Sequence, residues 1–130
     1  MVDPVTWSGI FPAALTMFHA DGRLDEAATA AHVDRLIADG AHGIVVAGTS
    51  GEFVSLDEAE RRRIIDVGIL AARGRVPVIA GTGYASTRAT IALTEYAATA
   101  GAAGAIVILP YYQRPTARKC SMTSATVGRW

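Results

Sequence analysis

The sequence predicts an α/β domain in which buried parallel strands alternate with amphipathic helices. Three short runs are apolar without polar alternation, which is typical of strands covered on both faces. These runs are residues 43–47, 76–80 and 105–109. Segments with a helical spacing of apolar residues lie between them. The chain has 130 residues, of which 51% are hydrophobic, so it is long and apolar enough to bury such a core.

An internal repeat supports this alternation. Residues 40–46 read GAHGIVV and residues 101–107 read GAAGAIV, an offset of 61 positions (101 minus 40). That offset matches about two βα units of roughly 30 residues each. With residues 10–18 as a first strand, the order becomes β-α-β-α-β-α-β. Parallel strands joined by right-handed crossovers form either an open doubly wound sheet or a (β/α)8 barrel, and the strand count leaves both open.

The first helix is predicted over residues 25–39, with Gly40 as the residue that ends it. Its inward positions are Ala30, Val33, Leu36 and Ile37. The third helix is predicted to begin at Ser86 or Thr87 and to end at Gly101. Its apolar stripe is Ala89, Leu93, Tyr96, Ala97 and Ala100. Both helices are therefore expected to pack one face on the sheet.

The second helix is predicted to begin at a capping box formed by Ser55 and Glu58. Its apolar stripe is Ile64, Val67, Leu70 and Ala71. The opposite face carries Glu60, Arg61, Arg62, Arg63 and Asp66. The three consecutive arginines are interpreted as part of the solvent-exposed face of this helix, beside the acidic residues at its start.

Composition and charge exclude several classes of partner. The formal net charge is zero and the 12 basic residues are spread along the chain, so neither nucleic acid nor a membrane surface is expected as a partner. Cys120 is the only cysteine, which provides no disulfide framework or thiolate cluster. Apolar runs of four to seven residues are far short of the roughly 20 that span a bilayer. With no leader-like N-terminus, a cytoplasmic protein is expected.

No metal or other cofactor is expected. His19, His32 and His42 lie in different predicted elements without the spacing of metal ligands. Cys120 has no histidine or cysteine near it in the sequence that indicates an activated thiol. The polar chemistry of the chain must therefore be sought in its loops.

Three distinctive segments follow the predicted strands, where ligands bind in both candidate architectures. They are GTSGE at residues 48–52, GTG at 81–83 and PYY at 110–112. In the first, two hydroxyls and accessible backbone N–H groups suit a carboxylate or a phosphate. A tight strand-to-helix turn explains the same residues equally well. GTG matches neither the dinucleotide nor the P-loop pattern and is interpreted as a turn. Paired tyrosines at a strand end are more often packing residues than ligand contacts.

The order and spacing of five blocks carry a family resemblance that covers residues 9–116. The blocks are GIFPAALTMF, DGRLDEAA, GIVVAGTSGEFVSLDEAERRRII, VIAGTG and PYYQRP. In these blocks the chain resembles the N-terminal half of the dihydrodipicolinate synthase / N-acetylneuraminate lyase family. The resemblance implies a (β/α)8 barrel of which this chain provides about the first four strands and three helices, in residues 1–116. It also implies a class I aldolase or lyase.

The resemblance further implies residue roles and a ligand. Members of the family hold pyruvate or another 2-oxo acid as a Schiff base on a lysine. By the match of motifs, Ser50 contacts the carboxylate and Thr49 belongs to a proton relay. Tyr112 is the relay tyrosine that reaches a neighbouring subunit, so full-length relatives are expected to be homo-oligomers. Tyr111 is the less certain member of the tyrosine pair. The substrate within the family depends on later strands and stays open.

Two parts of the family's site do not match this sequence. The Schiff-base lysine belongs to the sixth strand and a second tyrosine to a Tyr-Asn-x-Pro motif at the fifth, whereas Lys119 is the only lysine here. These 130 residues are therefore expected to be inactive alone. Residues 117–130 are expected to form a divergent, disordered tail, and a change of reading frame near Lys119 is one interpretation of it. The chain is also expected to associate with itself through open sheet edges.

Three functions remain open from the sequence. The first is membership of a 2-oxo-acid-dependent lyase family. The second is an inactive fragment or interaction module that pairs with an intact relative. The third, a phosphate-binding or nucleotide-binding half-barrel, rests only on the glycine turns and ranks last.

Overall fold

A computed structural model describes residues 7–111 and residue 116. The elements in chain order are α1 (Glu26–Ala38), β1 (Ile44–Val46), a 3-10 helix (Phe53–Ser55), α2 (Glu58–Ala72), β2 (Val78–Gly81), α3 (Thr87–Ala100) and β3 (Gly104–Ile106). This alternation of strands and helices agrees with the sequence prediction. Tyr112 and the predicted tail of residues 117–130 lie outside the described residues.

The three strands form one parallel sheet in the order β1-β2-β3. Ile44 pairs with Val78, and Ile79 pairs with Gly104. Every residue of β1 and β2 is buried, whereas β3 is half-exposed. Parallel strands covered on both faces are apolar throughout, which explains why these runs show no polar alternation. The core lies between β1, β2 and the helices, with Val33, Ile65 and Leu93 among its least exposed side chains.

The predicted strand over residues 10–18 is wrong as a continuous strand. This segment pairs with β1 through a single parallel bridge between Ala13 and Val45. Beyond the bridge, the Thr16 hydroxyl donates to the carbonyl oxygen of Gly51 at 2.7 Å. The end of the segment is thus joined to the loop that follows β1 by a side-chain hydroxyl and not by a backbone ladder. The segment still occupies the position beside β1 that a first strand takes.

The capping box of α2 lies two residues later than predicted. The Asp57 carboxylate accepts from the Glu60 amide at 2.8 Å, and the Glu60 carboxylate accepts from the Asp57 amide at 2.9 Å. Ser55 instead ends the 3-10 helix Phe53–Ser55, so its backbone already has a helical conformation. An N-cap needs an extended residue before the first turn, and Asp57, with ψ of 176°, is that residue.

The buried face of α2 also differs from the prediction. Its members are Arg61, Ile64, Ile65, Val67, Gly68, Ala71 and Ala72. Arg61 is 1% exposed and Leu70 is 68% exposed, so the prediction was wrong for both. A side chain at Gly68 would collide with Val46 of β1, which shows that the helix approaches the sheet closely there. Arg61 lies seven residues earlier, on the same face, and is therefore turned into the protein.

The predicted ends of α1 and α3 are confirmed. The Asp25 carboxylate accepts from the Ala28 amide at 2.8 Å at the start of α1. Ser86 is the N-cap of α3, and Gly101 ends that helix with φ of 101°, a conformation that favours glycine. Caps of this kind satisfy backbone groups that the helix leaves unpaired.

The inward face of α3 contains more polar residues than predicted. Its buried members are Thr90, Leu93, Thr94 and Ala97. The Thr94 hydroxyl donates to the hydroxyl of Thr82, after β2, at 2.7 Å. Buried hydroxyls are tolerated when they are paired in this way. None of the helices in the described residues is both long and apolar enough to cross a membrane.

Candidate functional site

The loop after β1, residues 48–52, is called the β1 turn. Ala47, directly before it, has φ of 52°, and Glu52 has φ of 56°; such left-handed conformations are uncommon for residues with a side chain. The Gly51 amide donates to the Gly48 carbonyl oxygen at 3.1 Å, and the Glu52 amide donates to that of Thr49 at 3.0 Å. These bonds close a compact turn at the carboxyl end of β1.

The turn leaves two backbone donors unused. The amides of Thr49 and Ser50 donate to no acceptor in the described part of the chain, and their hydroxyls likewise form no hydrogen bond there. Both residues are exposed, whereas Gly51 behind them is buried. Adjacent free N–H groups and hydroxyls at one turn can together bind an anion.

An open cavity of ≈ 230 Å³ lies beside the β1 turn. Its polar lining includes Thr49, Ser50 and Arg61, and its apolar lining includes Phe53 and Ile108. Gly81, the last residue of β2, and Gly83 also line it. Residues 81–83 are called the β2 turn. The cavity therefore lies at the carboxyl ends of the strands, where parallel α/β proteins bind their ligands.

Arg61 connects the two turns. Its guanidinium donates to the carbonyl oxygen of Gly83 at 2.9 Å and to that of Gly81 at 2.8 Å. The rings of Phe53 and Tyr84 lie 5.1 Å and 4.1 Å from its central carbon. Burial lowers the pKa of Arg61 from its ordinary value, and the nearby phenols of Tyr84 and Tyr111 act in the opposite direction. The side chain nevertheless stays a cation, since a guanidinium is not deprotonated in proteins.

The β2 turn is held against α3 by threonine hydroxyls. Thr90 accepts from the Tyr84 amide at 3.0 Å and donates to the Ser86 carbonyl oxygen at 3.1 Å. Thr82 accepts from the Thr94 hydroxyl. A side chain at Gly81 would collide with the Ala47 carbonyl oxygen, so glycine is needed where the two turns approach each other.

The structure brings together two of the three residues proposed from the sequence. Thr49 and Ser50 both line the cavity, and Tyr112 lies outside the described residues. Tyr111 packs edge-on against Phe53, with ring centroids 5.8 Å apart. The histidines and acidic residues form no group of three suited to a metal ion within residues 7–111 and 116.

Sequence reasoning missed Arg61 at this site. The signal was present, because Arg61 is in helical phase with Ile64, Ile65 and Gly68. A basic residue in phase with an apolar stripe is normally assigned to the boundary of the stripe, since arginine is rarely fully buried. Its backbone acceptors, Gly81 and Gly83, are 20 and 22 residues away, and only the fold shows that they are near.

Comparison with known proteins agrees with the sequence resemblance. Residues 6–123 match the dihydrodipicolinate synthetase family. The chain belongs to this family. Among curated members, the 4-hydroxy-tetrahydrodipicolinate synthase of Phenylobacterium zucineum is 46% identical over 116 residues, which is 89% of this chain and 39% of that protein. An uncharacterised DapA-like lyase of Halobacterium salinarum is 43% identical over 85% of this chain and 36% of its own length.

Solved structures of family members superpose closely on this one. YagE, a prophage protein of Escherichia coli K12 solved in complex with pyruvate, aligns with a TM-score of 0.91 and 40% identity, over 95% of this chain and 41% of YagE. The N-acetylneuraminate lyase of Mycoplasma synoviae aligns with a TM-score of 0.88 and 27% identity, over 93% of this chain and 42% of the lyase. This member of the dihydrodipicolinate synthetase family thus spans about two fifths of the length of its relatives.

Proposed function

We propose that the β1 turn binds the carboxylate of pyruvate or a related 2-oxo acid, in a lyase that forms or cleaves a carbon–carbon bond. The observation that carries this proposal is the pair of amides and hydroxyls of Thr49 and Ser50 at the wall of the cavity, which have no hydrogen-bond partner among the described residues. A carboxylate accepts several hydrogen bonds at once, and bonds to a charged acceptor are stronger than neutral ones. The turn therefore matches the acid end of such a substrate.

The fold supports a place in a larger barrel. We infer that the segment beside β1 together with β1, β2 and β3 corresponds to the first four strands of a (β/α)8 barrel, and that α1, α2 and α3 are its first three helices. The close superposition on solved family members supports this assignment. A barrel of this class takes about 250 residues, so the rest of the ring and of the site lies outside these 130 residues.

The chemistry then divides between this chain and other residues. An iminium ion formed from a 2-oxo acid withdraws electrons from the neighbouring carbon–carbon bond, which requires an amine nucleophile, a proton carrier and a fixed carboxylate. Ser50 fixes the carboxylate, and Thr49 with Tyr112 carries the proton. Residues 7–111 contain no lysine. The amine belongs to another part of the barrel, and this chain alone forms no imine.

Amide chemical shifts of the chain, measured during titration with pyruvate, test the binding step. The largest shifts are expected at Thr49 and Ser50. The Ser50→Ala variant is expected to bind about tenfold more weakly, which is the scale of one hydrogen bond to a charged group. Ser55→Ala is the matched control, because Ser55 is exposed and does not line the cavity. Shifts centred away from the β1 turn would contradict the proposal.

Borohydride reduction in the presence of pyruvate tests the division of the chemistry. An imine that forms on the chain is reduced to a stable secondary amine, which raises the mass of the protein. We expect the mass to stay unchanged, because residues 7–111 contain no lysine and Lys119 does not match the position of the family's Schiff-base lysine. A stable adduct would show that an amine of this chain reaches the bound oxo acid, and the proposed division would be wrong.

A second candidate function is association with an intact relative through β3. The observation that favours it is the exposure of apolar side chains on and after this strand, with Ile106 43% and Leu109 48% exposed. A strand edge that lacks a neighbour offers its backbone groups to another chain. Sedimentation of the chain with and without a full-length relative tests this function, and Ile106→Lys is expected to weaken any complex.

A further inference from the structure

The cavity contains a buried cation that has no carboxylate partner among the described residues. Within residues 7–111, the guanidinium of Arg61 donates to the carbonyl oxygens of Gly81 and Gly83. Its Nε atom is buried and forms no hydrogen bond there. The neighbouring arginines differ, because Arg62 contacts Glu58 and Arg63 contacts Glu26. A buried charge without a counter-ion is costly. The buried Arg61 guanidinium is therefore suited to interact with an anion from outside the described residues.

The surroundings of Arg61 offset part of this cost without neutralising it. Two carbonyl dipoles and the faces of two aromatic rings contact the guanidinium. Dipoles and π-faces stabilise a cation but carry no net charge. The positive potential therefore extends into the cavity that Arg61 lines together with Thr49 and Ser50. A charge with low-dielectric walls acts on a ligand more strongly than one in water.

We propose that Arg61 is a specificity-determining residue whose buried charge selects anionic ligands for the cavity beside the β1 turn. This inference rests on the function proposed above. It explains why the cavity would prefer a carboxylate to a neutral group. The amides and hydroxyls of Thr49 and Ser50 also bind neutral oxygens, since an N–H donates to any acceptor. Arg61 distinguishes a small carboxylate from a neutral molecule of the same shape.

The test compares an anion with its neutral analogue. Dissociation constants of pyruvate and pyruvamide are measured from amide shifts of the β1 turn, for the wild-type chain and for the variants Arg61→Lys, Arg61→Met and Arg62→Met. We expect the wild-type chain to prefer pyruvate. Arg61→Met lowers that preference about tenfold, or about 1.4 kcal/mol, while pyruvamide binding changes little. Arg61→Lys keeps the preference because it keeps the charge, and Arg62→Met keeps it because Arg62 lies outside the cavity.

The outcomes separate a charge effect from a packing effect. If Arg61→Met weakens both ligands by the same factor, Arg61 only supports the turn and the inference is overturned. It is also overturned if the wild-type chain binds pyruvamide as tightly as pyruvate, or binds neither. That comparison needs no variant, so it can overturn the inference even where Arg61→Met does not fold.

Acetate separates this inference from the proposed function. Acetate carries the same charge as pyruvate but has no 2-oxo group. If acetate binds as tightly as pyruvate and both depend on the charge at position 61, the inference holds and the assignment to a 2-oxo acid fails. If pyruvate binds more tightly than acetate but Arg61→Met leaves the preference for anions unchanged, the assignment holds and the inference fails.

Discussion

Arg61 and Arg63 are two residues apart on α2 and have opposite environments. Arg61 is 1% exposed and donates to backbone carbonyl oxygens of the β2 turn. Arg63 is exposed and contacts the Glu26 carboxylate of α1. Successive helical residues are rotated by about 100°, so two steps are enough to move a guanidinium from the core to the surface. Identical residue types in one run therefore carry different roles.

The two arginines also differ in what their partners require. The Glu26 carboxylate remains hydrated when Arg63 is absent, whereas the buried carbonyl oxygens of Gly81 and Gly83 lose the guanidinium donor when Arg61 is absent. Unsatisfied buried groups are more costly than broken surface pairs. Contacts at Arg61 are consequently expected to dominate the stability of the site, and four substitutions test this expectation.

Arg61→Ala is expected to have the largest effect. It removes the guanidinium that donates to two buried carbonyl oxygens and packs between Phe53 and Tyr84, so the free energy of unfolding falls by about 3 kcal/mol. Urea denaturation measures this loss, with Arg62→Ala as the control at a cost of about 0.5 kcal/mol. Equal losses for the two variants would remove the distinction between the buried and exposed arginines.

Gly81→Ala is expected to cause the second-largest loss of stability. The new methyl group meets the Ala47 carbonyl oxygen and displaces the β2 turn from Arg61, at a cost of about 2 kcal/mol. In Gly48→Ala the same methyl group meets only Val45, at 3.5 Å, an ordinary contact. Thermal unfolding of both variants checks the prediction, which fails if Gly48→Ala is the more destabilised protein.

Asp57→Ala is expected to lower the free energy of unfolding by about 1 kcal/mol, because it removes the N-cap of α2, the helix that carries Arg61, Arg62 and Arg63. Ser55→Ala is the matched control and is expected to leave stability unchanged. Circular dichroism during urea unfolding measures both. A loss at Ser55 in place of Asp57 would restore the capping box that the sequence predicted.

Arg63→Ala is expected to have the smallest effect, and that effect depends on pH. The Arg63 guanidinium lowers the pKa of Glu26, so the pair stabilises the folded chain above the ordinary carboxyl pKa of about 4.3. The stabilisation is lost as the pH falls through the lower pKa of the folded state. The difference in stability between Arg63→Ala and the wild-type chain should therefore vanish at acidic pH.

The loss of stability in Arg61→Ala should persist at acidic pH, since backbone carbonyl oxygens do not titrate. Urea midpoints measured at neutral and acidic pH compare the two, and parallel behaviour would contradict this assignment.

The α/β alternation was predictable because buried parallel strands and amphipathic helices leave strong local patterns. Residues 43–47 and 76–80 read as strands from composition alone, and Asp25 and Ser86 lie at helix starts as expected. The strand predicted over residues 10–18 was wrong, since the segment has a single bridge to β1 and its Thr16 hydroxyl contacts Gly51, 35 residues away. Local propensity contains no information on such a distant acceptor.

By itself, the sequence determined the order of helices and strands, the family, and Thr49 and Ser50 as residues of a strand-end turn, since each depends on residues close together in the chain. Only the tertiary structure decided which face of α2 turns inward and thus where Arg61 lies. That choice depends on the close approach of Gly68 to Val46 and on carbonyl groups of the β2 turn. Burial of a charge is favourable only where the fold brings such distant acceptors within hydrogen-bond reach.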